Sequence, residues 1–267
     1  MEPPLACSRG WRHLAEMHRH THDSHAAPIL FIADLHLDPA RPAALHALAG
    51  FLAGPARKAS ALYILGDLFE AWIGDDARPA DDPVAPALRA LADQGTRVFL
   101  MHGNRDFLLG RAFAQAAGAE LLDEPVVISI DNERVGLEHG DALCTDDTAY
   151  QAFRAQVRDP DWQRGFLALS VAERLEQARA ARARSGEDMA TKAEAIMDVN
   201  PAAVTTRFRD LDVARLIHGH THRPAMHSLT VDGVERQRIV LGDWFDQGSV
   251  LTVSDREYRL DQVSLSG

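Results

Sequence analysis

Three histidines alternate in His218-Gly219-His220-Thr221-His222, just ahead of Arg223-Pro224. Neutral imidazole is the commonest nitrogen ligand of a divalent metal, so the spacing points to metal chemistry. On an extended backbone, positions i, i+2 and i+4 share one face, and Gly219 lets the backbone approach whatever lies there. The bland alternative is a surface loop with spare histidines. Four other stretches argue against it: Asp34-Leu35-His36, Gly66-Asp67, Gly103-Asn104-Arg105-Asp106 and His139-Gly140-Asp141. Taken singly, each is weak; an Asp such as Asp67 often serves only as a cap or turn residue.

Their positions carry more weight than their types. Each follows a strand candidate, at 29–33, 61–65, 97–101, 134–138 and 214–217. Ligands in open α/β sheets sit beyond the carboxyl ends of the strands. Helical spacing at 42–52, 84–94, 108–117 and 193–208 separates the runs, and strand patterns return at 226–231, 238–241 and 249–253. The fold class expected is α/β, a sandwich of two mixed β-sheets flanked by helices.

Residues 148–192 break this rhythm. The segment is helical in pattern, with Phe153, Val157, Trp162, Phe166, Leu167, Leu169, Val171 and Leu175 on apolar faces, and Arg174, Arg179, Arg182 and Arg184 toward its end. It is expected to be a helical cap inserted in the domain. Two readings stand: an amphipathic pair packed on the body, or a lid whose apolar face meets lipid and whose basic residues meet phosphate.

Composition narrows the classes. Among 267 residues, 46% are hydrophobic, enough for one large domain with an insertion. With 28 Lys+Arg against 39 Asp+Glu, the chain lacks the basic balance of a general nucleic-acid binder, and no nucleic-acid partner is expected. Two cysteines, Cys7 and Cys144, suggest no disulfide framework. No apolar run reaches the length of a membrane span, and residues 1–27 lack a signal peptide's apolar region. That stretch holds His13, His18, His20, His22 and His25 and is expected to be a disordered extension, with a metal-binding tract as the alternative. The domain is expected over 28–267.

Collected, the strand-end residues are Asp34, His36, Asp67, Asn104, His139, His220 and His222. Mixed carboxylate, imidazole and amide donors suit Mn, Fe or Zn better than Ca. They are too many for one closed site. Two metals sharing one carboxylate fit, the arrangement of phosphoesterases and nucleases.

The motifs D-x-H, G-D, G-N-x-D, H-G-D and G-H-x-H, in this order from Asp34 to His222, resemble the calcineurin-like metallophosphoesterase superfamily. Within it the chain is similar to the UDP-2,3-diacylglucosamine hydrolase family, through residues 31–37, 63–76, 102–110, 139–147, 195–200 and 216–224. The resemblance implies hydrolysis of the pyrophosphate of UDP-2,3-diacylglucosamine in lipid A biosynthesis, by two Mn2+ ions and the hydroxide they activate. Attack on the uridine-side phosphorus would give UMP and 2,3-diacylglucosamine 1-phosphate. It places the first metal on Asp34, His36, Asp67 and His222 and the second on Asp67, Asn104, His139 and His220, with Asp67 bridging. His218 matches no ligand position and is read as orienting its neighbours.

The resemblance also implies substrate contacts at Asn104, Arg105, Asp147, Ser185, Met189, Lys192 and His220, although Met189 stands where relatives often carry a polar residue. It implies a cytoplasmic protein, peripheral on the inner membrane through its cap. Many superfamily members have His at the position of Arg105. Arginine stays charged and cannot protonate a leaving group, but it clamps phosphate oxygens. A departing phosphate needs a general acid less than an alkoxide does, so Arg105 favours a phosphoanhydride substrate. Arg105 and His220 are therefore the residues expected to stabilise developing charge. The competing readings are another calcineurin-like phosphodiesterase or nucleotide pyrophosphatase, and a non-catalytic scaffold of the same fold; the complete ligand set argues against the scaffold.

Overall fold

The computed structural model describes residues 20–191, 198–245 and 247–264. In chain order the elements are β1 (Thr21–His22), β2 (Ile29–Ile32), α1 (Pro42–Ala53), β3 (Ala61–Leu65), α2 (Val84–Ala92), β4 (Arg97–Met101), α3 (Arg111–Ala117), β5 (Ala119–Leu122), β6 (Val126–Ile130) and β7 (Glu133–Leu137). There follow α4 (Thr148–Val157), α5 (Pro160–Leu167), α6 (Val171–Thr191), α7 (Pro201–Leu211), β8 (Arg215–His218), β9 (Ala225–Val231), β10 (Val234–Val240), β11 (Gln247–Ser254) and β12 (Glu257–Ser264).

The strands form two six-stranded sheets, ordered β12-β11-β2-β3-β4-β5 and β1-β6-β7-β8-β10-β9. Both are mixed, as expected. β2 and β3 are apolar and buried throughout because both faces are covered. Phe31, Tyr63 and Phe99 of one sheet share a core with Ile128, Val135, Ile217 and Ile239 of the other. Leu48, Leu88 and Phe113 of α1, α2 and α3 cover the outer face of the first sheet, and Val204 and Phe208 of α7 pack with Leu216 outside the second.

Register brings the strand ends together. β2, β3 and β4 run parallel with Ile32 opposite Ile64 and Leu65 opposite Met101. The residues after them, Asp34, Asp67 and Asn104, therefore leave one edge of the sheet. In the second sheet β7 and β8 are parallel with Leu137 opposite Ile217, so His139 and the last histidine motif emerge side by side.

Three expectations change. The helix at 108–117 starts only at Arg111. The helix at 193–208 is α7, which starts at Pro201 with Asn200 capping the N–H groups of Ala202 and Ala203; residues 192–197 lie outside the described residues. Residues 1–19 of the proposed extension also lie outside them, but from residue 20 the chain is built into the fold. Thr21 and His22 pair with Ser129 and Ile130. His22 is buried, its Nε2 2.6 Å from the Tyr63 hydroxyl and its Nδ1 2.9 Å from Arg97 Nη2. An isolated two-residue strand carries no hydrophobic period, so the sequence gives no sign of it.

The insertion is helical, as α4, α5 and α6. Asp147 and Asp159 cap α4 and α5 by accepting backbone N–H groups. Val157 and Phe166 are buried, and Trp162 stacks on Phe166 at 5.0 Å. Arg174, the first of the basic run, turns to the body. It is buried, donating to the Ile73 carbonyl and pairing with Asp76, and so pins α6 to the body. Phe153, Leu167, Val171 and Leu175 remain exposed on the cap.

Candidate metal centre

Five of the ligand-type residues have left-handed backbones: Asp34 (φ 56°), His36 (47°), Asp67 (52°), His220 (69°) and His222 (56°). Side chains rarely tolerate this region, and such strain concentrates at functional sites. It corrects the picture of three histidines on one face of an extended strand. β8 ends at His218, and the turns after it aim His220 and His222 inward. His218 itself is fully buried, donating from Nδ1 to the Gly219 carbonyl, with Arg238 Nη1 3.2 Å from its Nε2.

The donor atoms converge in two groups, Asp34 with His36 and His222, and Asp34 with Asp67 and His139, each within 4.8 Å. The Nε2 atoms of His36 and His222 are 3.2 Å apart. Asp67 Oδ2 stands 3.7 Å from His36 Nε2 of the first group and 3.8 Å from His139 Nε2 of its own. Asn104 Oδ1 lies 2.9 Å from His139 Nε2 and 2.8 Å from His220 Nδ1, which adds the amide and the remaining histidine to the second group.

Supporting bonds fix these side chains. His139 Nδ1 donates to the Leu65 carbonyl at 2.9 Å, which orients the ring with Nε2 toward Asp67 and Asn104. Glu70 Oε2 lies 3.1 Å from His36 Nδ1 and Asp243 Oδ2 3.3 Å from His222 Nδ1. Asp106 accepts the backbone N–H groups of Asp67, Leu68, Phe69 and Gly103, holding two ligand loops at once. Gly103 is required beside it: a Cβ there would lie 2.0 Å from Asp67 Oδ1.

The electrostatics fit a cation. Burial works against a charged Asp34, yet the adjacent His222 and the charge of His139 hold its pKa at about 2. Burial raises Asp67 to about 6 against the pull of His139 and His36. Burial would lower His139, but Asp67 and Asp34 outweigh it and raise it to about 9. Burial and the neighbouring His139 lower His220 to about 3. Asp34 Oδ1 is buried with no hydrogen-bond partner, an arrangement that is costly unless a cation meets the oxygen. The donor set and this orphaned oxygen fit a divalent metal.

Arg105 adjoins the donor groups through its backbone. Its backbone N–H donates to Asp67 Oδ1 at 2.7 Å, and its Nε is buried without a hydrogen-bond partner. Of the other residues read as substrate contacts, Asp147 caps α4 and accepts from the Tyr150 N–H at 3.0 Å. Ser185 and Met189 fall in α6, with side chains outside what is described, and Lys192 lies outside the described residues.

Several neighbours carry no motif signal. Phe245 stacks on His36 with ring centroids 5.2 Å apart, and Arg41 lies over its ring at 4.6 Å. Tyr150 stacks on His220 at 6.0 Å. Arg182 of the cap pairs with Glu70. Only the acidic residues near motifs, Glu70 and Asp106, could have been suspected from their positions.

Two facing sheets that deliver carboxylate and imidazole at adjoining strand ends define a metallophosphoesterase. The calcineurin-like phosphoesterase family matches residues 27–224, and the chain belongs to that family, whose members use divalent metal. Its curated relatives are narrower in name. It is 52% identical to a UDP-2,3-diacylglucosamine hydrolase of Xanthomonas oryzae pv. oryzae, over 88% of this chain and 99% of that protein. It is also 52% identical to a UDP-2,3-diacylglucosamine hydrolase of Chromohalobacter salexigens, over 80% of this chain and 88% of that one. Within the broader family, the chain is therefore a member of this hydrolase family.

Proposed function

We propose that the protein hydrolyses the pyrophosphate bond of UDP-2,3-diacylglucosamine, releasing UMP and 2,3-diacylglucosamine 1-phosphate, with two Mn2+ ions per chain. The observation that carries this reading is Asp67 Oδ2, set at 3.7 and 3.8 Å from histidines of two adjoining donor groups. Asp34, His36, Asp67 and His222 would hold one ion, and Asp67, Asn104, His139 and His220 the other. When bound, the pair supplies Lewis-acid polarisation of phosphoryl oxygens and an activated water.

The chain supplies the rest. Arg105 binds the phosphate oxygens; its buried, unpartnered Nε supports this role, and among the described residues it has no carboxylate within ion-pair distance. His220 and Asn104 border the same oxygens, and His220 stays neutral because burial keeps its pKa near 3. The departing sugar phosphate is stable as an anion, so no general acid is needed where Arg105 stands.

The cap holds the lipid end. Phe153, Leu167, Val171 and Leu175 are exposed there, and apolar side chains on a helical surface suit acyl chains or a bilayer surface. No helix among the described residues is long and apolar enough to cross a membrane. A peripheral position on the cytoplasmic face of the inner membrane is the corresponding location. The test is hydrolysis of UDP-2,3-diacylglucosamine with Mn2+ supplied and products identified by mass. Folded, metal-loaded protein that releases no UMP would refute the assignment.

A further inference from the structure

The cap is joined to the second donor group by one face of α4. Tyr150 and Arg154 within α4, and Arg158 just past its end, are four residues apart and so lie along one side of the helix. Each reaches the loop of a different ligand-type residue. Arg158 Nη2 donates to the Gly103 carbonyl at 3.0 Å, one residue before Asn104. Arg154 Nη2 donates to Glu124 Oε1 at 2.6 Å, and Glu124 Oε2 accepts the backbone N–H of His139 at 2.9 Å. The Tyr150 ring lies along His220, while its hydroxyl donates to Asp141 Oδ2 at 2.6 Å. Arg154 Nε donates to that same oxygen at 2.8 Å.

Asp141 is fully buried and Glu124 nearly so. Arg154 pairs with both carboxylates, at 2.6 Å from Glu124 Oε1 and 2.8 Å from Asp141 Oδ2, and Arg158 Nη2 stands 3.4 Å from Glu124 Oε1. The other donor group is supported differently, by Glu70 behind His36 and Asp243 behind His222.

We propose that Arg154, with Tyr150 and Arg158, is a positioning set that holds Asn104, His139 and His220 in ligand geometry. The cap thus builds one half of the metal centre as well as covering it. This rests on the ligand assignment made above. The outer partners of metal ligands typically govern affinity by roughly 10–100-fold.

The test uses the full chain, stripped by chelator and titrated with Mn2+ alone, with each equivalent's dissociation constant measured and the spin-coupled Mn2+ pair followed by electron paramagnetic resonance. His139→Ala and His36→Ala first define which equivalent belongs to which donor group. Arg154→Met is expected to weaken the equivalent lost in His139→Ala by roughly 10–100-fold, to leave the one lost in His36→Ala unchanged, and to abolish the coupled signal at limiting metal. Arg154→Lys should recover part of the loss, because an ammonium can still meet one of the two carboxylates. Should Arg154→Met fail to fold, Tyr150→Phe and Arg158→Met decide the question through the same selective loss. Unchanged affinities, or equal weakening of both equivalents, would overturn the proposal. If His139→Ala itself binds both equivalents normally, the ligand assignment has failed and the proposal with it.

Discussion

Asp34 Oδ2 accepts a 2.8 Å hydrogen bond from the backbone N–H of His220, 186 residues further along the chain. The first strand-end motif and the last are thereby one structural unit. The bond leaves Asp34 Oδ1 turned toward His222 at 3.4 Å.

Asp34→Asn keeps an oxygen for the His220 N–H but removes the buried charge. Metal content measured by mass spectrometry should fall by at least one equivalent per chain. The loss in affinity should exceed the roughly 10–100-fold typical of an outer hydrogen-bond partner. Full metal loading of the variant would show that this carboxylate is not a ligand.

Arg105→Ala removes the guanidinium but keeps the backbone N–H that donates to Asp67. Turnover should drop by about 10²–10³-fold, the scale of losing one donor to developing charge, with metal content intact. Arg105→Lys should restore only part, since an ammonium cannot form the bidentate pair. Metal loss in Arg105→Ala would move the residue from the substrate to the centre itself.

His22 sets a pH limit on stability. Its Nδ1 faces Arg97, which can only donate, so the ring is held neutral with Nδ1 as acceptor. Burial and the Arg97 charge lower its pKa from 6.5 to about 4. The stabilisation is full above pH 6.5 and declines as pH falls from there to about 4, a span worth about 3 kcal/mol. Urea unfolding from pH 7.5 to 4 should show a shallower decline in His22→Gln, which cannot titrate. Parallel curves for the two proteins would refute this.

The exposed cap residues should act in lipid binding and not in metal binding. Leu167→Ser and Leu175→Ser should each weaken partition onto anionic vesicles by roughly 10–150-fold, corresponding to loss of the ~1.5–3 kcal/mol from burying a leucine. They should raise KM for the diacylated substrate with Mn2+ content unchanged. Vesicle binding equal to wild type would remove the cap's apolar face from the membrane reading.

Much of the site was legible because its signals are local. Asp34, His36, Asp67, Asn104, His139, His220 and His222 each follow an apolar run, and the structure brings all seven together. Which reading of the basic run Arg174 would satisfy was not legible, because an arginine's partner, here Asp76 nearly a hundred residues earlier, leaves no trace in the pattern around it. The Thr21–His22 strand was hidden for the same reason, since its order comes from Ser129, Ile130, Tyr63 and Arg97.

By itself, the sequence determined which chemical groups are available, their order, and the buried strands that end at them. These depend on side-chain type and on periods of a few residues. Only the tertiary structure decided that His218 stands behind while His220 and His222 turn inward on left-handed backbones, and that Glu124 links a cap arginine to the His139 backbone. Strand register, backbone handedness at a turn and the choice of ion-pair partner are settled by packing between distant segments, and local residue patterns do not encode them.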